Sequence, residues 1–118
     1  MEDSVKNNVL AVARLLDEHK AEDTTVLNVA NSWTDFFIIT TVRSQLHLKG
    51  LVRRLADFFA VNHIETLNRH KNVDDSGWVL IDCGEFVVHL MDKEMRSFYE
   101  LEKLWFNSSL IYQSSKSS

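Results

Sequence analysis

The sequence predicts a single α/β (α+β) domain in which a four- to five-stranded mixed sheet is packed by helices. Its 118 residues are the length of one domain, and they contain no internal repeat or linker. Hydrophobic residues make up 45% and charged residues 25%, which is ordinary composition for a chain with one core. Helical and strand-like patterns alternate in the order α-β-β-α-(β)-β-β-α, and one layered sheet is the simplest arrangement of such elements.

The first part of the chain predicts one helix and two strands. The helix runs from about residue 3 to about residue 20, because an apolar stripe follows helical spacing there. The stripe consists of Val5, Val9, Val12 and Leu16. The β-branched run Asp23–Val29 predicts a strand, and Ala30–Ser32 predicts the turn after it. Asp35–Val42, DFFIITTV, is almost continuously apolar or β-branched, which predicts a strand covered on both faces.

A second helix and a short strand are predicted next. Ser44 is placed to cap the helix, and Gly50 lies inside it at a cost of about 1 kcal/mol relative to alanine. One helix face carries Leu48, Leu51, Val52, Leu55 and Phe59. The short strand is predicted at Ile64–Leu67, and a polar loop follows it at Asn68–Gly77.

A hairpin is the clearest local signal in the sequence. WVLID and EFVVHLM are two strand-like runs on either side of a tight Cys83-Gly84 turn, where Gly84 can adopt the positive φ that such turns require. Asp92 is placed to cap a final helix. We therefore expect one domain over residues 1–112 and a disordered polar tail, QSSKSS, over residues 113–118.

The final helix carries more apolar surface than a sheet needs to cover. The face that we expect to lie on the sheet consists of Met95, Phe98, Leu101 and Trp105. Tyr99 and Leu104 widen the apolar arc to about 220°, whereas a helix on a sheet needs little more than ~100°. Either these two residues lie at the edge of the core, or the helix has a second, partner-binding face. Trp78 is another aromatic in an exposure-prone position, and Trp and Tyr are residue types that anchor interfaces.

Bulk properties argue against several classes of protein. The net charge of −4 does not favour a stand-alone nucleic-acid binder, and no apolar run reaches the ~20 residues of a membrane span. The polar start MEDSVKNNV fits neither a signal peptide nor a transit peptide. Cys83 is the sole cysteine, so no internal disulfide can form, and we expect a cytoplasmic protein.

Candidate chemical groups are present but do not form a catalytic pattern. The five histidines, among them His63, His70 and His89, show no metal-ligand spacing, and we expect no metal and no cofactor. Asp82 and Glu85 beside Cys83 should raise its thiol pKa and so oppose a nucleophilic role. These acids and the pair Asp74-Asp75 are typical of turns, and no phosphate-binding glycine motif accompanies them. The sequence does not support an enzyme.

Two small basic clusters could each touch RNA, but taken alone they are interpreted as solvated faces. One cluster consists of Lys49, Arg53 and Arg54, and the other of Arg69, His70 and Lys71. Neither is interleaved with the aromatic residues of a typical RNA-binding surface.

Four blocks of the sequence resemble the ribosomal silencing factor family (RsfS, also called Iojap), in the order and spacing of that family. They are Trp33–Ile39 (WTDFFII), Gly77–Gly84 (GWVLIDCG), Val87–His89 (VVH) and Arg96–Trp105 (RSFYELEKLW). The similarity extends from about residue 5 to about residue 106. It implies a mixed sheet of nucleotidyltransferase-like topology without known catalysis.

The resemblance also implies a function and a site. Members of the family bind the large ribosomal subunit at its protein fourteen and sterically hinder joining of the small subunit when nutrients are scarce. Carried over to this sequence, the partner-binding residues are Trp78, Tyr99, Leu101, Glu102, Lys103, Leu104 and Trp105. Leu101 and Trp105 also belong to the expected core face of the helix. A homodimer that used these partner-binding residues would compete with docking.

The chain departs from the family pattern at three positions. In the loop Thr41–His47, Val42 replaces a glycine and Leu46 replaces an arginine of the family's T-G-x-S-x-R-H, while Arg43 lies nearby as a substitute. Asn28 stands where an aspartate is common.

Two alternative functions from other classes stay open, namely a nucleotidyltransferase-like enzyme and a purely structural homodimer.

Overall fold

The computed structural model describes residues 2–29, 34–67, 77–99 and 109–113. These residues form the helices α1 (Glu2–Glu18), α2 (Gln45–Val61) and α3 (Lys93–Tyr99). They also form the strands β1 (Glu22–Asn28), β2 (Phe36–Val42), β3 (Trp78–Asp82), β4 (Phe86–Asp92) and β5 (Ser109–Gln113). Several predicted features lie outside the described residues: the turn Ala30–Ser32, the loop from 68 to 76 with both of its charged clusters, the helix beyond Tyr99, and the tail from 114 to 118.

The five strands form one mixed sheet in the order β3-β4-β2-β1-β5. The central pair, β2 and β4, is parallel, and the other three pairs are antiparallel. Helix α2 belongs to the crossover that a parallel pair requires. The α+β class and the mixed sheet are therefore confirmed.

One face of the sheet is covered by α1 and α2, as the two apolar stripes predicted. Val9, Val12 and Leu16 of α1 are fully buried. The buried residues of α2 are Leu48, Leu51, Leu55 and Phe59. They pack with the sheet residues Val26, Phe36, Ile38, Val79, Ile81, Val88 and Leu90 in one hydrophobic cluster.

The opposite face of the sheet has its own cluster of buried residues. It consists of Leu27, Val29, Phe37, Ile39, Val87 and Met91, with Trp78, Leu80 and Met95 packed against it. Every residue of β2 is buried, which confirms the prediction of a strand covered on both faces. Among the described elements, α3 contacts β4 and β2.

Three predicted caps and turns are confirmed. The Ser44 side chain accepts a hydrogen bond from the His47 N–H at 3.0 Å at the start of α2. Gly84 has a φ of +84° in the hairpin turn, and its N–H donates to Asp82 Oδ1 at 2.8 Å. Asp92 Oδ1 accepts from the Met95 N–H at 2.7 Å and caps α3.

The predicted strand at Ile64–Leu67 is wrong, and the fifth strand lies at 109–113 instead. Leu67 makes a single backbone hydrogen bond to the Asp82 carbonyl, which does not amount to a ladder. β5 pairs with β1, and Gln113 accepts a hydrogen bond from the Thr25 hydroxyl at 3.1 Å. Gln113 therefore belongs to the sheet, although we expected the disordered tail to begin there.

The orientation of α3 corrects a second prediction. Phe98 was expected on the sheet, but 78% of its surface is exposed. Met95 packs on the sheet and Arg96 hydrogen-bonds to it, so these two residues define the inward face of the helix. Phe98 lies about 200° around the helix from Arg96, which turns its ring away from the sheet.

Candidate interaction surface at Trp78

The structure tests the predicted partner-binding residues only in part. Trp78 is among the described residues. Tyr99 is the last residue of α3, and only its backbone is described. The remaining five lie outside the described residues: Leu101, Glu102, Lys103, Leu104 and Trp105. The candidate surface is therefore built around Trp78 and the start of α3.

Trp78 begins β3, an outermost strand of the sheet, and its side chain is half-buried. The preceding Gly77 has a φ of +81°, and a Cβ at that position would overlap with the Asp92 carboxylate. The Gly77 carbonyl accepts a hydrogen bond from the Asp92 N–H at 2.7 Å. Because Asp92 also caps α3, this contact holds Trp78 at a fixed position relative to the start of that helix.

The indole of Trp78 is bound to a buried histidine. Its Nε1–H donates to Nδ1 of His89 at 3.2 Å, and the two ring centroids are 5.9 Å apart. His89 is only 4% exposed, and Phe37 contacts its ring edge-to-face at 4.8 Å. Since Nδ1 accepts, the proton of the neutral imidazole lies on Nε2.

The environment of His89 keeps the imidazole neutral. Burial lowers the pKa of His89 from 6.5 to about 4, because the apolar surroundings disfavour the charged form. A protonated imidazole has no acceptor and cannot receive the indole N–H. The Trp78–His89 hydrogen bond is therefore maintained throughout the neutral pH range.

Arg96 anchors α3 to the sheet. Its Nη1 donates to the Asp23 carbonyl at 2.6 Å and to the Thr41 hydroxyl at 3.0 Å, and its Nη2 donates to the Thr25 hydroxyl at 3.2 Å. The Asp23 carbonyl is available because β1 is irregular there, with a shift in register and a φ of +51° at Asp23. Arg96 thus ties the helix to two neighbouring strands.

The groups with potential for chemistry have structural roles in the described part of the chain. Burial, with a further contribution from Asp82, raises the pKa of the Cys83 thiol to about 12, which opposes a nucleophilic role. Asp82 and Asp92 accept backbone hydrogen bonds in a turn and a helix cap. No three His, Cys, Asp or Glu side chains gather as metal ligands among the described residues.

Comparison with known proteins decides the family. The model of the RsfS family, described as "Ribosomal silencing factor during starvation", matches residues 2–118. This chain belongs to the RsfS family. The ribosomal silencing factor RsfS of Bacillus subtilis is 32% identical over 107 residues, which cover 89% of this chain and 90% of that protein. The Treponema pallidum RsfS is 35% identical over 98 residues, covering 80% and 86%.

A solved structure supports the same relationship. A crystal structure of a protein from Bacillus halodurans matches with a TM-score of 0.73 and 29% identity, covering 93% of this chain and 98% of that one. The RsfS resemblance inferred from the four sequence blocks is confirmed. Among the described helices, none combines the length and the apolar composition of a membrane span.

Hydrogen bonds hold the loop Thr41–His47, in which this RsfS chain departs from the family pattern. Nδ1 of His47 accepts from the Arg43 N–H at 2.9 Å, and its Nε2 lies 2.8 Å from the His19 carbonyl, which ties the start of α2 to the end of α1. Val42 is buried in the core, whereas Leu46 is 81% exposed. Arg43 Nε lies 3.4 Å from Glu22 Oε2 in an exposed ion pair.

The role of His89 was not predicted, although the sequence contains a signal for it. We interpreted each histidine as structural or on the surface, without assigning a partner. Val87, His89 and Met91 alternate on one face of β4, next to the doubly covered β2. A polar ring at the centre of such an apolar row indicates a buried hydrogen bond.

Proposed function

We propose that this chain is a non-catalytic ribosomal silencing factor that binds the large ribosomal subunit at its protein fourteen and blocks joining of the small subunit. Membership of the RsfS family and relatives named as silencing factors support the ribosomal role. The structural observation that carries the docking part of the proposal is Trp78. Its large ring is half-exposed on an outermost strand, beside the helix that leads into the remaining predicted contact residues.

The physical character of this surface suits a protein partner. Trp and Tyr contribute large apolar contact area and lose little conformational freedom on binding. Phe98 adds an aromatic ring that α3 presents mainly to solvent. The net charge of −4 favours encounter with a basic ribosomal protein and raises the association rate more than the affinity.

The mechanism that we propose is occlusion. A modest aromatic surface docks on a protein already fixed to the large subunit, and the rest of the domain collides with the incoming small subunit. Affinity then depends on a few desolvated anchors, and inhibition depends on the volume of the domain. No bond is made or broken in this mechanism.

Co-sedimentation with purified large subunits tests the docking site. We expect the wild-type chain to pellet with large subunits and the Trp78→Ala, Tyr99→Ala double variant to stay in the supernatant. Val61→Ala is the matched control, because Val61 is 76% exposed on α2, which packs on the opposite face of the sheet from Trp78. Unchanged binding by the double variant would show that the interface lies elsewhere.

Two further partner contacts belong to the same proposal. A homodimer through the patch around Leu104 would compete with docking, so the mass in solution of the wild type and of Leu104→Asp should be compared.

Lys49, Arg53 and Arg54 lie exposed on α2 and are suited to a minor contact with ribosomal RNA. Such a contact would make binding weaken as salt is raised, and Arg53→Ala would reduce that dependence.

A further inference from the structure

Three aromatic rings form a diagonal row across three strands on the face of the sheet opposite α1 and α2. In the register of the sheet, His89 lies opposite Ile39 of β2 and Leu80 of β3. Phe37 and Trp78 are therefore its diagonal neighbours on either side, a spacing that long aromatic side chains can bridge. The centroid distances of 4.8 Å to Phe37 and 5.9 Å to Trp78 show that both do so.

His89 is an unfavourable residue for this position if only the stability of the fold is considered. Its Nε2 is buried and has no hydrogen-bond partner among the residues that the structure describes. Burying a donor without an acceptor destabilises a fold, whereas a leucine would pack among the apolar neighbours Ile39, Val87 and Met91. The half-exposed Trp78 does not require a buried acceptor for its N–H, because water can supply one.

The acceptor on His89 does, however, restrict the indole. A Trp at the edge of a sheet can adopt several rotamers, and a hydrogen bond from Nε1–H to a fixed atom selects one of them. The acceptor atom is itself fixed, because His89 is only 4% exposed and Phe37 contacts its ring edge-to-face. A side chain held in one rotamer before binding loses less conformational freedom when it is buried in an interface.

We propose that His89 is a positioning residue for docking: by accepting the indole N–H on Nδ1, it holds Trp78 in the orientation in which the ring enters the interface with the large-subunit protein. This inference rests on the function proposed above and extends it to a residue that does not touch the partner. It explains why a polar ring occupies the centre of an apolar row.

Two substitutions separate the acceptor from the bulk of the side chain. In His89→Asn, the side-chain oxygen takes approximately the place of Nδ1 and can still accept, although the ring is lost. In His89→Leu, the side chain fills the apolar site but cannot accept. Val79→Ala is the control for lost stability alone, because Val79 lies on the other face of β3 among residues contacted by the helices.

The first readout is the indole N–H of Trp78 in ¹⁵N–¹H spectra, assigned by its absence in Trp78→Phe. We expect slow hydrogen exchange of this proton in the wild type and in His89→Asn, and fast exchange in His89→Leu. The second readout is co-sedimentation with purified large subunits. His89→Leu should bind about five- to tenfold more weakly than the wild type, and His89→Asn within about threefold of it.

A double-mutant cycle decides whether His89 acts through Trp78. Phe has no N–H, so in the Trp78→Phe background His89→Leu should change the affinity by less than about twofold. An equal loss in both backgrounds, or wild-type affinity of His89→Leu, would overturn the positioning role. Should His89→Leu fail to fold, wild-type affinity of Trp78→Phe alone would overturn it as well. If the wild-type chain does not bind large subunits, the proposed function fails first, and the two failures are thereby distinguished.

Discussion

The guanidinium of Arg96 on α3 lies 2.6 Å from the backbone carbonyl of Asp23, at the irregular start of β1. The same side chain also reaches the hydroxyls of Thr41 and Thr25, so three acceptors on two strands hold one helix residue. A hydrogen bond from a charged group is stronger than one between neutral groups. The position of α3 therefore depends on Arg96.

Arg96→Ala should destabilise the fold by about 1 to 3 kcal/mol, because it removes charge-assisted hydrogen bonds to the sheet. Urea unfolding followed by circular dichroism gives the free energy of unfolding. Arg53→Ala is the control, since Arg53 is exposed on α2, and it should change this free energy by less than about 0.5 kcal/mol. Equal effects of the two substitutions would mean that Arg96 does not anchor α3.

Gly77→Ala and Gly50→Ala should have opposite effects on stability. At Gly77 a methyl group meets the Asp92 carboxylate and the backbone has a φ of +81°, so we expect a loss of about 2 kcal/mol or more. At Gly50, inside α2, a methyl group meets no atom within 4 Å, and alanine should stabilise the helix by about 1 kcal/mol. Thermal unfolding of both variants measures the difference, and a tolerated Gly77→Ala would contradict the described start of β3.

The stability of the fold should depend on pH through His89. Its pKa is about 4 in the folded chain and 6.5 when unfolded, so the unfolded state binds more protons between these values. The stabilisation is complete above pH 6.5 and is lost as the pH falls through 4, in total roughly 3 kcal/mol. His89→Leu should remove this component, which appears in the difference between the wild-type and variant pH profiles of unfolding. Parallel profiles would show that His89 is not buried in the neutral form.

The thiol of Cys83 should react slowly in the folded chain. Burial and the neighbouring Asp82 raise its pKa to about 12, so almost none of it is thiolate at pH 8. Iodoacetamide labelling followed by mass spectrometry should be slow without denaturant and fast in urea. Rapid labelling of the folded chain would reopen the question of a nucleophilic role.

The caps and turns that depend only on residues close by in the sequence were predicted correctly. Ser44, Gly84 and Asp92 act on residues within three positions of themselves, and each has the predicted role. The double burial of β2 was also predictable, because a continuous apolar run is inconsistent with a solvated face.

Features that depend on distant parts of the chain were not predictable in the same way. β5 is a short strand directly before a polar tail, and its place beside β1 is supported by contacts such as the hydroxyl of Tyr112 to the carboxylate of Asp17. The exposure of Phe98 follows from the anchoring of Arg96 on strands more than fifty residues earlier in the chain. A helical wheel gives the angular spacing of residues around a helix. It does not give the rotation of the helix about its own axis, which decides which residues face the sheet.

An order-of-addition assay of subunit joining tests the proposed silencing most directly. Purified subunits are mixed and joining is followed by light scattering, after the chain has been incubated first with the large or first with the small subunit. We predict slower joining after incubation with the large subunit, a weaker effect after incubation with the small subunit, and little effect of the Trp78→Ala, Tyr99→Ala variant in either order. Unchanged joining by a chain that is bound to the large subunit would contradict occlusion.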